Sequence, residues 1–234
     1  MSWVCRLYRS SLGAKYVMAS TGLLLFGFLI AHLLGNLQMF AGPDAVNSYA
    51  EKLRALGPLL WVARIGLLVI AGLHIATALR LAQRNDAARP VAYAKVAQRA
   101  VKPATKTMVL SGLVILAYVV YHLAHFTWGV VQADHASLTE KFADGHERHD
   151  VYSMVVLGFR TWWVSASYLV ALVLLALHLC HGVTSVFQTF GLNHAKYACA
   201  IKMTGPAIAT LIFLGYASIP VACWLGLIPL VEAR

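Results

Sequence analysis

The chain has 234 residues, 60% hydrophobic and 12% charged, with a formal net charge of +10 and a mean hydropathy of +0.70. A soluble domain carries about 25% charged residues, so the composition excludes an ordinary soluble protein and describes one integral membrane domain over residues 1–234. The excess of basic residues lies in short connections between apolar runs. There it sets topology and meets lipid headgroups rather than nucleic acid.

Five segments are long and apolar enough to span about 30 Å of hydrocarbon as helices. In chain order they cover residues 15–40, 58–81, 105–131, 162–188 and 205–230. The first follows a basic stretch with Arg6, Arg9 and Lys15 and ends in AHLLGNLQMF. That end offers no small-x-small cleavage site, so the segment reads as a retained helix and not a leader. After the second comes a loop with Arg80, Arg84, Arg89, Lys95, Arg99, Lys102 and Lys106 against Asp86. The third ends in YHLAHFTWG and leads into a polar loop holding Asp134, Glu140, Asp144, Glu147 and Asp150. Lys196 and Lys202 follow the fourth. The fifth has no histidine and contains Pro206, Pro220 and Pro229. It is expected at the periphery of the bundle, bent at Pro220.

The charge alternates from one loop to the next. By the positive-inside rule the N-terminus is cytoplasmic and the C-terminus outside. Trp61, Trp128, Trp162 and Trp163 sit near the outer ends of the segments, as an aromatic belt. Cys5, Cys180, Cys199 and Cys223 form no CxxC pair and read as free thiols packing as small hydrophobes.

The first four segments each carry a deep histidine: His32, His74, His122 and His178. A histidine within a bilayer is costly without a partner and is a functional candidate for that reason. At about 1.5 Å rise per residue, His32 lies about 25 Å outward of Lys15, and His122 about 9 Å before Trp128. His74 sits about 9 Å before Arg80, and His178 lies past the midpoint of an inward-running helix. His32 and His122 thus share an outer level, and His74 and His178 an inner one, about 10–15 Å apart. Two imidazoles facing each other at one depth suit a six-coordinate haem iron, so the expected fold is an all-α five-helix bundle whose first four helices enclose two stacked haems. Gly35, Gly72 and Gly182, near the ligands, would let a flat macrocycle approach the backbone. His125 and His181, three residues beyond His122 and His178, share those faces and are rival ligands on spacing alone. Each could instead bond a haem propionate or a quinone oxygen. His135, His146, His149 and His194 fall in polar loops and read as solvated.

These residues resemble a known family. The stretches SSLGAKYVMASTGLLL, IAHLLGNLQMFAGPDAVNSYA, LHIATALRL, YHLAHFT and LHLCHGVTSVFQTFGLNH look like the membrane anchor of succinate:quinone oxidoreductases. This is the succinate dehydrogenase or fumarate reductase cytochrome b subunit in its five-helix, two-haem form. The resemblance runs from about residue 10 to residue 227. It implies His74 and His178 as ligands of the inner haem b and His32 and His122 as ligands of the outer one. On the fourth helix it places the ligand at His178 within HLCHG; His181 departs from the family's pattern. It further implies a flavoprotein with covalent FAD and an iron–sulfur protein docked on the cytoplasmic face of a bacterial inner membrane. Succinate chemistry would belong to the flavoprotein. This subunit would carry electrons between the iron–sulfur clusters, the haems and a membrane quinone, expected to be menaquinone, in a respiratory or tricarboxylic acid cycle complex whose oligomeric state is open.

Ser20, at the inner haem's depth, and Arg64, near the outer haem's, are candidate propionate contacts. Arg64 could equally snorkel to the outer headgroups. An outer quinone site would gather His32, Arg64, His125, Asn36 and Gln38. Two other readings remain open from the sequence. One is a dihaem anchor of another quinone-linked oxidoreductase, of hydrogenase or formate dehydrogenase type. The other is a haem-free transporter, against which stands the lack of buried Asp or Glu in the first four helices.

Overall fold

The computed structural model describes residues 10–88, 108–192 and 194–230. Cys5, Arg6, Arg9, Arg89, Lys95, Arg99, Lys102 and Lys106, with the expected start of the third segment at residue 105, lie outside them. The described chain is mostly helical. We label the helices α1 (Ser11–Asn36), α2 (Pro43–Ala55), α3 (Pro58–Ala87), α4 (Met108–His122), α5 (Ala133–Ala136), α6 (Val151–Arg160), α7 (Trp162–Thr189) and α8 (Ala198–Trp224). Strands β1 (Thr139–Lys141) and β2 (Glu147–His149) form an antiparallel hairpin with Glu140 opposite Arg148.

Five helical stretches are long and apolar enough to cross a membrane: Ser11–Ala41, Pro58–Ala87, Met108–Thr127, Trp162–Thr189 and Ala195–Trp224. They overlap the five segments read from the sequence, the fifth starting and ending earlier than expected so that Lys196 and Lys202 fall within it, and mark a multi-pass membrane protein. Their outer surfaces are apolar. Leu24, Leu68, Val170 and Leu211 are each more than half exposed. So much contiguous apolar surface is stable only in lipid. Trp61, Trp128, Trp162 and Trp163 are exposed near helix ends, where an indole meets both lipid and headgroups.

Two expectations are corrected. The fifth span is not peripheral. Its most apolar stretch is 39% buried, against none for the spans Pro58–Ala87 and Trp162–Thr189. Small residues allow the close approach: a Cβ on Gly205 would collide with the Cys180 carbonyl, and one on Gly215 would come within 2.9 Å of Leu33. The helix also runs unbroken from Ala198 to Trp224 through Pro206 and Pro220. Second, the stretch before the fourth span is not wholly a polar loop. It contains α6, of which Tyr152, Met154, Val156 and Phe159 are buried. Asp150 caps this helix by accepting from the Ser153 N–H (3.0 Å).

The chain divides into two compact units. One comprises Met1–Leu29, Arg64–Leu113 and Leu175–Thr210. Apart from Ile201, its buried side chains among the described residues are small or hydroxyl-bearing: Ala14, Ala19, Thr21, Thr77, Ser111 and Ala209. Such residues let helices pack closely where lipid supplies no hydrophobic drive. The other comprises Ile30–Ala63, Val114–Leu174 and Leu211–Arg234. It holds the larger core, with Met39, Tyr152, Val156, Val164, Tyr168 and Cys223. Cys180, Cys199 and Cys223 are free thiols.

A buried polar knot closes the second unit. Asn47, 1% exposed, donates to Glu140 Oε2 (3.2 Å) and Asp150 Oδ1 (3.0 Å) and accepts from the Tyr152 N–H (2.9 Å). Arg148 donates to Glu140 (2.8 Å), Ser48 (2.9 Å) and Asp44 (2.6 Å). Burial opposes the Arg148 charge, but these bonds and carboxylates outweigh it and hold its pKa above the ordinary value. Of the loop histidines, His146 and His194 are exposed, as expected, whereas His135 and His149 are partly buried. His146 pairs with Glu51 (2.7 Å), and His149 Nδ1 meets the Leu138 carbonyl (3.0 Å). His135 Nδ1 is buried.

Because Asn47 ties α2 to the hairpin and to the start of α6, Asn47→Ala should destabilise this unit by about 2–3 kcal/mol, read as earlier thermal unfolding in detergent. The hairpin should also weaken in acid. Burial and the nearby Arg54 charge hold His149 below its ordinary value of 6.5, with the Leu138 carbonyl opposing. The folded hairpin therefore takes up a proton less readily than the unfolded chain. Its stability is full above pH 6.5 and is lost as pH falls through the lowered folded value. Amide protection in β1 and β2 should drop over that range, and less so in His149→Gln.

Candidate functional site

His74 on α3 and His178 on α7 face each other with ring centroids 6.5 Å apart. Each is held by a hydroxyl from another helix. Thr21 Oγ1 on α1 lies 3.2 Å from His74 Nδ1, and Ser111 Oγ on α4 lies 3.3 Å from His178 Nδ1. Both hydroxyls already use their proton on their own helix. Thr21 donates to the Val17 carbonyl (2.7 Å) and Ser111 to that of Met108 (3.1 Å). Each hydroxyl can then only accept from its imidazole, so the ring proton sits on Nδ1 and the lone pair on Nε2. Glycines flank both rings. A Cβ on Gly22 would lie 3.2 Å from His74 Cε1, and one on Gly112 would lie 3.5 Å from His178 Cε1.

His32 on α1 and His122 on α4 form the second pair, with centroids 5.8 Å apart and planes near perpendicular (85°). Tyr216 on α8 lies beside His32 with its ring tilted by 37°, centroids 6.1 Å apart. A chain of hydrogen bonds leads away from His122. Tyr168 Oη on α7 lies 3.2 Å from His122 Nδ1 and 3.1 Å from His125 Nδ1. His125 Nε2 lies 2.7 Å from Gln132 Oε1, and the Gln132 amide donates toward Thr161.

The donors in this chain can be ordered. An amide oxygen only accepts, so His125 carries its proton on Nε2 and offers Nδ1 as acceptor. Tyr168 has one proton and gives it to His125. Its oxygen then accepts from His122 Nδ1–H, which leaves the His122 lone pair on Nε2. Two local features make this possible. After His122 the helix widens into a π-helical turn over Leu123–Thr127, with the Trp128 N–H reaching the Leu123 carbonyl (2.8 Å). Gly158 on α6 also leaves room, since a Cβ there would lie 3.2 Å from both His125 Nε2 and Gln132 Oε1.

In both pairs the spacing fits one metal atom between two imidazoles. A metal about 2 Å from each nitrogen, with each ring centre about 1.2 Å further, puts the centroids about 6.4 Å apart. The observed values of 5.8 and 6.5 Å lie on either side. Among the described residues no group of three or more His, Cys, Asp or Glu could hold a metal ion. Two imidazoles alone do not complete the shell of a bare ion.

The structure thus brings together the four deep histidines in the expected pairs and separates the rivals from them. His125 has both ring nitrogens engaged. His181 Nε2 lies 3.0 Å from Ser185 of its own helix, while His178 faces His74. Ser20 and Arg64 are both exposed, and it is Thr21, the next residue along, that meets His74. Asn36 donates to the His32 carbonyl (2.6 Å). Gly35 lies against Tyr49, whose ring would come within 2.8 Å of a Cβ there, whereas a Cβ on Gly72 or Gly182 would meet nothing within 4 Å. Thr21, Ser111, Tyr168, Gln132, Gly22 and Gly112 join the site without having been expected there. For all but Gln132, which lies in the bend before α5, the one sequence signal is a hydroxyl, or a missing side chain, in an otherwise apolar helix. No protein-family model, curated protein or solved structure matches the chain.

The proton order is open to direct measurement. In metal-free protein carrying ¹⁵N-histidine, His74, His122 and His178 should show the Nδ1–H tautomer and His125 the Nε2–H tautomer. An Nε2–H signal from His122 would contradict this order.

Proposed function

We propose that the chain is the dihaem cytochrome b membrane anchor of a succinate:quinone oxidoreductase. The observation that carries this reading is the pair of opposed imidazole sets, His74 with His178 and His32 with His122, at one-metal spacing. A haem iron brings four equatorial nitrogens and needs only two axial ligands, which is what each pair offers. The hydroxyl partners of His74, His178 and His122 favour the tautomer that coordinates through Nε2. Helices deep in lipid also suit a macrocycle that is mostly apolar.

In this reading His74 and His178 hold the inner haem and His32 and His122 the outer one. The bound iron supplies one-electron transfer. The protein supplies the axial nitrogens, their orientation and the exclusion of water. The cytoplasmic face binds an iron–sulfur subunit and, through it, a flavoprotein with covalent FAD. Basic residues such as Arg80 and Arg84 suit an acidic partner surface. Electrons pass between that subunit and a membrane quinone, of menaquinone type, in a bacterial inner membrane with the N-terminus cytoplasmic. If quinone binds on the outer side, electron transfer crosses the membrane potential, at about 2.3 kcal/mol per charge per 100 mV.

The purified, dithionite-reduced protein should show a split haem b alpha band and two haems per chain. His74→Ala should remove one component and largely spare the other, and His122→Ala should remove the complementary one. A haem-free wild-type spectrum overturns the reading, and two haems retained in His74→Ala overturn that ligand assignment. Covalent flavin and iron–sulfur clusters in the complex purified from membranes distinguish this anchor from that of a hydrogenase or formate dehydrogenase.

A further inference from the structure

The two imidazole pairs are supported differently. Thr21 and Ser111 hold His74 and His178 with hydroxyls whose protons end on carbonyls of their own helices. Those supports are two bonds deep and end on backbone. The support of His122 is three bonds deep: His122 Nδ1–H to Tyr168, Tyr168 O–H to His125, and His125 Nε2–H to Gln132. His125 is 2% exposed and Tyr168 is 8% exposed. The ring of Tyr168 is locked edge-on against Phe159 (4.8 Å) and Tyr118 (5.1 Å), and His125 stacks on Phe126 (3.9 Å). Tyr168 is therefore fixed as a rigid acceptor whose own proton is drawn off toward His125.

We infer that Tyr168, oriented by His125 and Gln132, is a positioning residue that sets the tautomer of His122 and strengthens its donation to the metal bound there. The inference rests on the haem reading above and goes beyond it, because it assigns a role to three residues that are not among the four proposed ligands. An acceptor on Nδ1–H makes the opposite nitrogen a stronger donor, which favours the ferric state. A chain of hydrogen bonds polarises each member in turn, so the effect reaches back from Gln132. The haem at His32 and His122 should then be harder to reduce than the same ligands alone would make it.

The test is a redox titration of the visible spectrum on the whole complex, with the component at His32 and His122 assigned by its loss in His122→Ala. Tyr168→Phe keeps the ring and its packing. It should shift that component's reduction equilibrium about tenfold toward the ferrous state, about +59 mV for one electron, or lower its occupancy. The component at His74 and His178 should stay unchanged. Tyr118→Phe removes a neighbouring hydroxyl that bonds Ser167 instead, and should shift neither. Should Tyr168→Phe lose both haems, Gln132→Leu decides. It removes the far acceptor, and a smaller shift of the same component in the same direction supports the inference. Unchanged potential and occupancy in Tyr168→Phe, or in Gln132→Leu where that variant decides, overturns it while leaving the haem reading intact. A haem-free wild type overturns the haem reading itself.

Discussion

A histidine nitrogen in lipid cannot borrow water, and this constraint organises the helices around each ring. The ring proton must have an acceptor inside the protein, and an acceptor with a spare proton would compete for the same nitrogen. The chain resolves this at Thr21 and Ser111 by disposing of the hydroxyl proton locally, on a carbonyl about one turn back. The cost is a slight disturbance of each helix. In return the imidazole has one tautomer. Four different helices, α1, α3, α4 and α7, contribute to the arrangement around His74 and His178. No single helix could supply it, because a side chain cannot hydrogen-bond across a bundle to its own element.

The rest of each unit follows from where polar groups can be tolerated. The unit with Thr21 and Ser111 buries mostly small side chains and presents leucine and valine outward. The unit with Tyr168 has water at its loops and can carry a polar knot. Arg148 is nearly fully covered there, yet Glu140, Asp44 and Ser48 occupy its donors. Cutting one partner away would strand a buried charge, which is costlier than never burying the pair. Asn47 plays the same part for the backbone, accepting the Tyr152 N–H that begins α6.

The five spans and the pairing of the deep histidines are legible in the sequence, because apolar length and a fixed rise per residue determine depth. What depth cannot give is azimuth. His125 and His122 differ little in depth, and only the Gln132 contact of one and the His32 pairing of the other separate their roles. Ser20 and Thr21 are indistinguishable in the same way, and the turn of the helix puts Thr21 inward and Ser20 outward. The packing of α8 is hidden because absence of histidine suggests a lesser role, while its glycines and alanines carry the opposite message. The helix α6 is masked by the acidic residues that dominate the stretch before it, though VYSMVVLGF is as apolar as a core helix should be.

The π-helical turn after His122 has a consequence for how this region tolerates change in length. Such a turn holds one residue more than α-helical register requires. Removing that residue would mend the spiral and make the helix more regular. The chain beyond would stay nearly in phase, but the second imidazole, which sits inside the turn, would be carried off the tyrosine. A shorter loop elsewhere could be absorbed by slack in the connection. Here a single-residue deletion would produce a tidier helix that had lost its grip on its neighbour.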